Sequence, residues 1–247
     1  MNRKIASNTQ ITRSSLILDK QDDLDKVVAE LSRVFSDILT GLSFRLPIAA
    51  KTRSGAEISD FLEGQFIQHI NLGKSTMLSD AVQGQGTKSP FDFKCLAKLG
   101  SANTQLVYCD IKTAFIKEAK SNSAPDMGAI NKYISFFKDG NTCFIFIFLK
   151  YKSVKQGFEV VKFTEDQKPT YFLIYPLQYI SSSVSLNLKN QIQINFEARP
   201  RERTRKEFLE LLKNVYVKGY KALLERTKKR LKAADKTFAF IHEQYRE

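Results

Sequence analysis

The sequence predicts a single α/β domain with helical ends, and three observations lead to this prediction. Apolar residues recur at helical spacing near the N-terminus, and a capping box opens a long basic stretch near the C-terminus. Between these ends the spacing changes to two from Phe91 onward, which is typical of β-strands. The length of 247 residues is sufficient for one domain with its own hydrophobic core and does not require two.

Two helices are predicted in the N-terminal part of the chain. Residues 22–43 carry apolar side chains at helical spacing opposite a charged face. Ser54 and Gly55 open a second helical stretch, whose apolar side chains again share one side. The polar, glycine-rich segment from Gly73 to Ser89 is interpreted as a loop that ends at Pro90.

A β-hairpin is predicted after Pro90. Phe91, Phe93 and Cys95 alternate with more polar neighbours, and the segment 100–103 supplies a turn. The run 106–113 then returns as the second strand of the hairpin.

The C-terminal half is predicted to contain one further helix, several strands and the long final helix. Asp126 is expected to cap a helix that runs to about Asp139. The nearly continuous apolar run 142–151 predicts a strand buried on both faces. Shorter strands are predicted at 158–163, 170–174 and 191–196. Thr204 and Glu207 form the capping box of the C-terminal helix.

The predicted domain covers residues 1–247 without an internal repeat or a low-complexity linker. It divides into three parts: a helical N-terminal part at 1–50, a core at 51–200 and the basic C-terminal helix at 201–247.

Composition narrows the classes of function. The net charge of +13 and the isoelectric point near 9.6 favour a polyanionic partner, of which nucleic acid is the commonest. The alternative is a basic protein with no nucleic-acid partner. The three cysteines have no CxxC spacing, which disfavours a disulfide framework or a zinc site and suits a reducing cytoplasm. No signal peptide or membrane span is predicted.

The pattern with the most specific chemistry is Pro90-Phe91-Asp92 followed by Asp110-Ile111-Lys112. Residues two apart in a strand point to the same face, so Asp110 and Lys112 are expected to project together. If the hairpin forms, Asp92 near the start of one strand lies close to Asp110 near the end of the other. Two carboxylates and one ammonium group would then converge at one edge of a sheet.

This set of groups suits metal-assisted phosphodiester hydrolysis. Adjacent carboxylates repel each other unless a hard cation such as Mg²⁺ neutralises them. The cation activates water and stabilises a leaving oxyanion, while a lysine holds the developing charge. The alternative is a pair of solvated acids and a lysine on an exposed sheet face.

The pattern P-F-D…D-I-K resembles the PD-(D/E)xK nuclease motif, and neighbouring segments sharpen the resemblance. Residues 55–62 resemble the helix that precedes the motif in these nucleases. Residues 123–132 resemble the DNA-reading segment of type II restriction endonucleases similar to HincII and HpaI, and the segments 191–194 and 203–208 also match that group. The order and spacing of these segments are most similar to the SwaI type, from about Lys51 to the C-terminal helix.

The resemblance implies a fold, a cofactor and residue roles. The fold would be a restriction-endonuclease-like core, with a mixed central β-sheet flanked by helices. Asp92 and Asp110 would bind Mg²⁺, for which Mn²⁺ substitutes, and Lys112 would position the attacking water. Glu57 would be the supporting acid, with Asp60 one turn along as the alternative, because the helix register leaves that choice open.

Candidate DNA-binding residues follow from the same resemblance. They are Asn122, Ser123, Asp126, Asn131, Gln191, Gln193, Arg203 and Arg205. The two glutamines share a strand face and can make bidentate contacts to adenine, although a polar strand face in water is the alternative. The arginines fit phosphate contacts or a solvated charge run, and Asp126 fits either DNA contact or helix capping.

The resulting hypothesis is a type II restriction endonuclease that acts as a homodimer on a palindromic site in double-stranded DNA. It would leave 5′-phosphate and 3′-hydroxyl ends, and a prokaryotic cell would pair it with a cognate DNA methyltransferase. Two alternatives remain open: a repair or recombination nuclease that reads structure or cuts nonspecifically, and a DNA-binding domain without enzymatic activity.

Overall fold

The computed structural model of the chain contains helices at both ends and β-strands between them. It describes residues 20–49, 54–85, 89–99, 103–116, 126–139, 143–155, 157–163, 170–195 and 200–245. The helices within these residues are α1 (Gln21–Gly41), α2 (Ser54–Asn71), α3 (Ile130–Lys138) and α4 (Arg205–Gln244). The strands are β1 (Arg45–Leu46), β2 (Leu78–Gln83), β3 (Phe93–Leu99), β4 (Asn103–Phe115), β5 (Asp126–Ala129), β6 (Cys143–Val154), β7 (Gly157–Val161), β8 (Phe172–Pro176), β9 (Ser185–Leu186) and β10 (Gln191–Gln193).

The central sheet is mixed, as the resemblance implied. Its strands lie in the order β1-β7-β6-β4-β3-β2, and β8 also pairs with β6. The β4–β6 pair is parallel, whereas the other pairs in this sheet are antiparallel. One edge of β6 serves two partners, because its first half pairs with β8 and its second half with β7.

Strand β6 forms the centre of the hydrophobic core. Every side chain from Cys143 to Leu149 is buried, which confirms the predicted strand with two covered faces. Neighbouring residues of a strand point to opposite faces, so such a strand requires packing on both sides of the sheet.

Helices provide that packing from both sides. Phe35 of α1 and Phe66 of α2 lie with ring centroids 5.0 Å apart, and Phe66 stacks on Phe93 of β3 at 5.2 Å. On the opposite face, Tyr133 of α3 packs against Phe144 of β6 with centroids 5.4 Å apart. The sheet is therefore flanked by α1 and α2 on one side and by α3 on the other.

Most of the predicted elements are confirmed, with boundaries that differ by a few residues. The two N-terminal helices, the β3–β4 hairpin and the strands β6, β7, β8 and β10 all form near their predicted positions. Cys95, Cys109 and Cys143 are buried and free, so none of them is in a disulfide.

The interpretation of residues 73–89 as a loop is wrong, because they contain β2. This edge strand pairs with β3 and has an irregular register between Ser79 and Val82. The irregularity breaks the alternation of apolar residues that would have revealed a strand in the sequence. The glycine at 84 has a packing role, since a Cβ there would collide with the carbonyl oxygens of Phe91 and Asp92.

The predicted capping of a helix by Asp126 is also wrong. Residues 126–129 form β5, and α3 begins only after Ala129, whose side chain makes no capping hydrogen bond. Pairing with the distant strand β10 holds this segment extended. The small second sheet has the order β5-β10-β9, and β10 ends at Gln193, earlier than predicted.

Helix α4 begins as predicted and extends well beyond the core. The Thr204 hydroxyl accepts from the backbone N–H of Glu207, and the Glu207 carboxylate accepts from the backbone N–H of Thr204. Only Phe208, Leu212 and Val215 of this 40-residue helix are buried. In the described residues, no helix is long and apolar enough to cross a membrane.

Candidate active site

The β3–β4 hairpin brings Asp92 next to Asp110. Phe93 pairs with Cys109 in the register of the hairpin, so Asp92 lies level with Asp110 on the neighbouring strand. The backbone N–H of Asp92 donates to the Cys109 carbonyl at 2.9 Å, and the backbone N–H of Ile111 donates to Oδ2 of Asp92 at 2.7 Å. Both the backbone and the carboxylate of Asp92 are therefore held by β4.

Lys112 lies against the carboxylate of Asp110. Its Nζ is 2.9 Å from Oδ1 and 2.7 Å from Oδ2, and only the Oδ1 contact has hydrogen-bond geometry. The Asp110 side chain is 4% exposed and the Lys112 side chain 21% exposed. The Lys112 side chain is therefore partly accessible to solvent, whereas the acid beside it is not.

The two carboxylates have raised pKa values. The pKa of Asp110 is raised to about 7, mainly by burial and also by the charge of Asp92, while Lys112 opposes both effects. Burial also raises the pKa of Asp92, against the opposing effects of Lys112 and the Ile111 N–H. This electrostatic environment favours either a proton or a cation between the two side chains.

The donor set fits a hard divalent cation. Oδ2 of Asp110 is buried and makes no hydrogen bond to any described group, and its close contact is the ion pair with Nζ of Lys112 at 2.7 Å. Among the described residues, no group of three or more His, Cys, Asp or Glu side chains is arranged to hold a metal ion. Mg²⁺ does not require such a cage, because one or two carboxylates, waters and substrate phosphates often complete its coordination.

The electrostatic environment of the site keeps the Lys112 side chain protonated. Burial lowers the pKa of Lys112, but the carboxylates of Asp110 and Asp92 outweigh that effect and raise it above its usual value. The ammonium group therefore remains protonated at neutral pH and can stabilise negative charge. In this state it cannot take a proton from water.

Helix α2 contributes further carboxylates beside Asp92. The helix is held to β4 by hydrogen bonds from the Ser59 hydroxyl to the Ile111 carbonyl and from the Thr113 hydroxyl to the Gly55 carbonyl. The pKa of Glu63 is raised to about 7, mainly by burial and also by the charges of Asp92 and Asp60. Glu63 is 4% exposed, and its Oε1 has no hydrogen-bond partner in the described part of the chain.

Glu63 is the site residue that sequence reasoning missed. Glu57, Asp60 and Glu63 are spaced three apart and so lie close to one face of α2. The same spacing therefore predicts Glu63 as a candidate acid as readily as it predicts Glu57 and Asp60. Glu57 is half-buried with an unpaired Oε2, whereas Asp60 is exposed.

A family comparison complements this geometry. A protein-family model described as SwaI-like, SwaI restriction endonuclease, matches residues 21–234. The match runs from the start of α1 far into α4 and includes every residue of the carboxylate–lysine site. The chain belongs to the SwaI-like restriction endonuclease family. No curated protein matches the chain significantly.

Family membership accounts for the architecture around the site. The mixed sheet, flanked by helices and followed by the long C-terminal helix, is consistent with a restriction-endonuclease-like fold. Membership also establishes the chain as a restriction endonuclease at the level of the family, with DNA as the implied substrate.

The small second sheet brings together candidate DNA-binding residues from two segments of this SwaI-like chain. Gln191 pairs with Ala129 and Gln193 pairs with Asp126 across β10 and β5. Both glutamine side chains are half-buried, on the opposite side of β10 from the buried Ile192. Oε1 of Gln191 accepts from the Asn187 side chain at 2.9 Å, which orients the amide.

Tyr133 connects this small sheet to the carboxylate–lysine site. Its buried hydroxyl donates to the Met127 carbonyl of β5. Burial raises the pKa of Tyr133, and the charges of Asp110 and Asp92 raise it further, so the ring lies near both acids. The neighbouring Asn131 is exposed at the start of α3 and donates to the Tyr220 hydroxyl at 3.3 Å. Asn122, Ser123 and the side chain of Asp126 lie outside the described residues.

The two candidate arginines occupy different environments. Arg203 is 9% exposed, and its guanidinium donates to the carbonyls of Gln178, Ile180 and Arg201 and to the Ser182 hydroxyl. It joins the chain before α4 to the short 3-10 turn at Leu177–Tyr179. These bonds from Nη1 and Nη2 tie the Arg203 side chain to its own chain, which is a structural role besides the expected phosphate contact. Arg205 is half-buried at the first position of α4.

Proposed function

We propose that this chain is a type II restriction endonuclease that hydrolyses phosphodiester bonds at a palindromic site in double-stranded DNA. The proposed reaction depends on Mg²⁺, accepts Mn²⁺ as a substitute, and leaves 5′-phosphate and 3′-hydroxyl ends. The observation that carries the proposal is the convergence of Asp92, Asp110 and Lys112 at the end of the hairpin, with Nζ of Lys112 within 2.9 Å of both Asp110 oxygens.

In the proposed site, Asp92 and Asp110 bind the metal ion. When bound, the ion supplies a polarised phosphoryl oxygen and a more acidic water. The Ile111 N–H holds the Asp92 carboxylate in place before substrate arrives. Lys112 orients the attacking water and stabilises charge on the phosphorus oxygens, a role suited to a cation fixed beside a carboxylate.

We propose Glu63 as the supporting acid, in preference to Glu57. Asp92 is among the charges that raise the pKa of Glu63, and the carboxylate of Glu63 is buried with one unpaired oxygen. It is therefore placed to accept from water bound beside Asp92. Glu57 retains an unpaired buried oxygen of its own and provides the natural comparison.

The proposed DNA-binding surface includes the small sheet and the segment before it. Gln191 and Gln193 are the proposed base-reading residues, because strand pairing and the Asn187 contact pre-orient this face. Asn122, Ser123, Asp126 and Asn131 are proposed to contact DNA beside them. Arg205 is proposed as a phosphate contact, whereas Arg203 is proposed to shape the surface from within.

The proposed assembly is a homodimer of the 247-residue domain, because a two-fold protein matches a two-fold DNA site. We place it in a prokaryotic cytoplasm, with a cognate DNA methyltransferase that protects the host sequence. The three buried free cysteines suit such a reducing compartment.

The proposal is tested by digesting a large, fully sequenced and unmethylated DNA with purified protein and Mg²⁺. The comparison lanes contain EDTA, Asp110→Ala, and the matched control Asp139→Ala, which removes an exposed carboxylate at the end of α3. Glu63→Gln and Glu57→Gln occupy two further lanes. We expect discrete fragments from the native protein and the Asp139 variant, none with EDTA or Asp110→Ala, and a greater loss with Glu63→Gln than with Glu57→Gln.

Other patterns would identify the alternative functions. A smear that depends on Mg²⁺ and Asp110 would indicate a nuclease that reads structure or cuts nonspecifically. Retention of DNA by the native protein without any cleavage would favour a DNA-binding domain.

A further inference from the structure

Helix α4 carries an apolar stripe that the nuclease core does not cover. Past Tyr220, most side chains of the helix are exposed, and only Leu223 and Ala234 are half-buried. Gly219 lies against Leu186 of β9, where a Cβ would approach the leucine side chain too closely. Beyond this contact the helix continues for more than 20 residues to Gln244.

Most of the large exposed apolar residues past Val215 follow a heptad repeat, and Phe240, which is 59% exposed, lies outside it. The first row has a spacing of seven and consists of Val217, Leu224, Leu231, Phe238 and Tyr245. The second row lies three residues after the first four of these and consists of Tyr220, Thr227, Ala234 and Ile241, of which Thr227 is polar and Tyr220 and Ala234 are half-buried. Side chains of the first row are 41% to 80% exposed. Heptads sustained over about four repeats are typical of a coiled coil, whereas a helix packed on a globular core follows a spacing nearer 3.6.

The distal half of α4 gains little stability from its own chain. Long helices in water are stabilised mainly by packing an apolar face against another element. Here the buried residues stop at Val215, although the helix extends to Gln244. A partner that covers the heptad rows would supply the missing packing and remove several large apolar side chains from water.

We propose that the heptad stripe of α4 pairs with the same stripe of a second copy of this chain and forms the interface of a homodimer. This inference deepens the proposed function, because it names the surface through which the proposed homodimer forms. An identical stripe is a suitable partner, because a two-fold interface uses the same surface on both subunits. Knobs from each row can then insert into holes on the other helix.

The charges beside the stripe suit a second copy. The flanking positions contain basic residues and a single acid, Asp235. In a parallel, in-register pair Asp235 lies opposite Arg230 of the copy. In a parallel pair, Lys221 and Lys228 face uncharged residues of the copy at 216 and 223, so no like charges oppose each other.

Sedimentation of the full-length protein without DNA tests this inference. The stripe variant is Leu224→Glu with Leu231→Glu, which inserts two carboxylates into the proposed interface. The matched control is Ala222→Glu with Ala233→Glu, which adds the same charge on exposed positions away from the stripe. We expect a dimer, twice the 28.2 kDa mass of one chain, for the native protein and the control. The stripe variant should dissociate about 100-fold more readily, because buried unpaired charges are costly.

Thermal unfolding keeps the test interpretable. The stripe residues 224 and 231 are exposed and lie beyond Gly219 and Tyr220, which contact β9 and α3, so the nuclease core should unfold normally in the stripe variant. A native protein that is monomeric at micromolar concentration would overturn the inference, and so would a stripe variant that remains as dimeric as the control. A monomeric native protein whose core is destabilised by the stripe variant would show that the chain covers its own stripe, which also overturns the inference.

Failure of this inference and failure of the proposed function give different results. Asp110→Ala should remain dimeric, because the carboxylate lies in the sheet and not on α4. A dimer that does not cleave DNA leaves the stripe interface intact and refutes the nuclease. A monomer that cleaves a specific site refutes the stripe interface and leaves the nuclease.

Discussion

The β3–β4 hairpin and the small β5-β10-β9 sheet differ in how the chain brings their residues together. In the hairpin, seven consecutive residue pairs form across one short connection, from Phe93 with Cys109 to Leu99 with Asn103. In the small sheet, Gln191 pairs with Ala129 from a distant part of the chain, and the register shifts before Gln193. Local pairing thus builds the site proposed for chemistry, while long-range pairing builds the surface proposed for base reading.

The difference has a physical basis. Closing a short hairpin costs little conformational entropy, so its register follows from the local pattern and is held by many ladder hydrogen bonds. Joining distant segments costs more, and three short strands return few hydrogen bonds. We therefore expect substitutions of Asp92, Asp110 or Lys112 at the end of the hairpin to abolish chemistry, and substitutions in the small sheet to change selectivity while chemistry continues.

The largest expected effect comes from Lys112→Ala. Removing the ammonium group takes away the proposed stabilisation of charge on phosphorus, so the rate of cleavage under single-turnover conditions should fall by about 100-fold or more. Lys98→Ala, on β3 of the same hairpin, is the matched control and should cleave normally. A Lys112 variant that cleaves at the native rate would show that the hairpin does not carry the chemistry.

The second effect is on the stability of the metal-free protein as pH changes. The folded-state pKa of Asp110 is raised to about 7, above its ordinary value, so the folded state binds this proton more tightly than the unfolded state. The contribution of Asp110 to stability is therefore fully present at low pH and is lost as pH rises toward and through 7. Asp110 alone should cost roughly 2 to 3 kcal/mol between about pH 5 and pH 8.

Urea unfolding in EDTA across this pH range measures the effect. Asp110→Asn should reduce the loss of stability with pH, and part of the loss should remain because Glu63 also has a pKa raised to about 7. Mg²⁺ should restore stability to the native protein at the alkaline end of the range. Identical pH profiles for Asp110→Asn and the native protein would contradict the proposed electrostatics.

The smallest expected effect comes from the small sheet. Gln191→Ala and Gln193→Ala should each weaken discrimination between the cognate site and a site changed at one base pair by about 1 to 3 kcal/mol. Single-turnover cleavage of the cognate site at saturating enzyme should continue close to the native rate, which is the contrast with Lys112→Ala. Competition between the two DNA duplexes measures this discrimination, and Gln68→Ala on the exposed side of α2 is the control. If both glutamine variants keep full discrimination, base reading belongs elsewhere on the molecule.

The sequence by itself determined the elements whose patterns are local. Alternation after Pro90 predicted the hairpin, and the D-x-K spacing placed Asp110 and Lys112 on one face, because a strand repeats every two residues. The continuous apolar run predicted the doubly covered β6, and the Thr204–Glu207 capping box predicted the start of α4. Each of these follows from neighbours along the chain.

Only the tertiary structure decided the features that depend on distant partners. It made β2 a strand despite its irregular register, and it kept Asp126 in β5 because β10 pairs there. It placed Glu63 beside Asp92, since docking of α2 on β4 sets which carboxylate approaches the hairpin. It also turned Arg203 inward, where the guanidinium donates to backbone carbonyls in and directly after the 3-10 turn. A single sequence shows which side chains are present, whereas long-range packing determines which of them lie in contact in the folded protein.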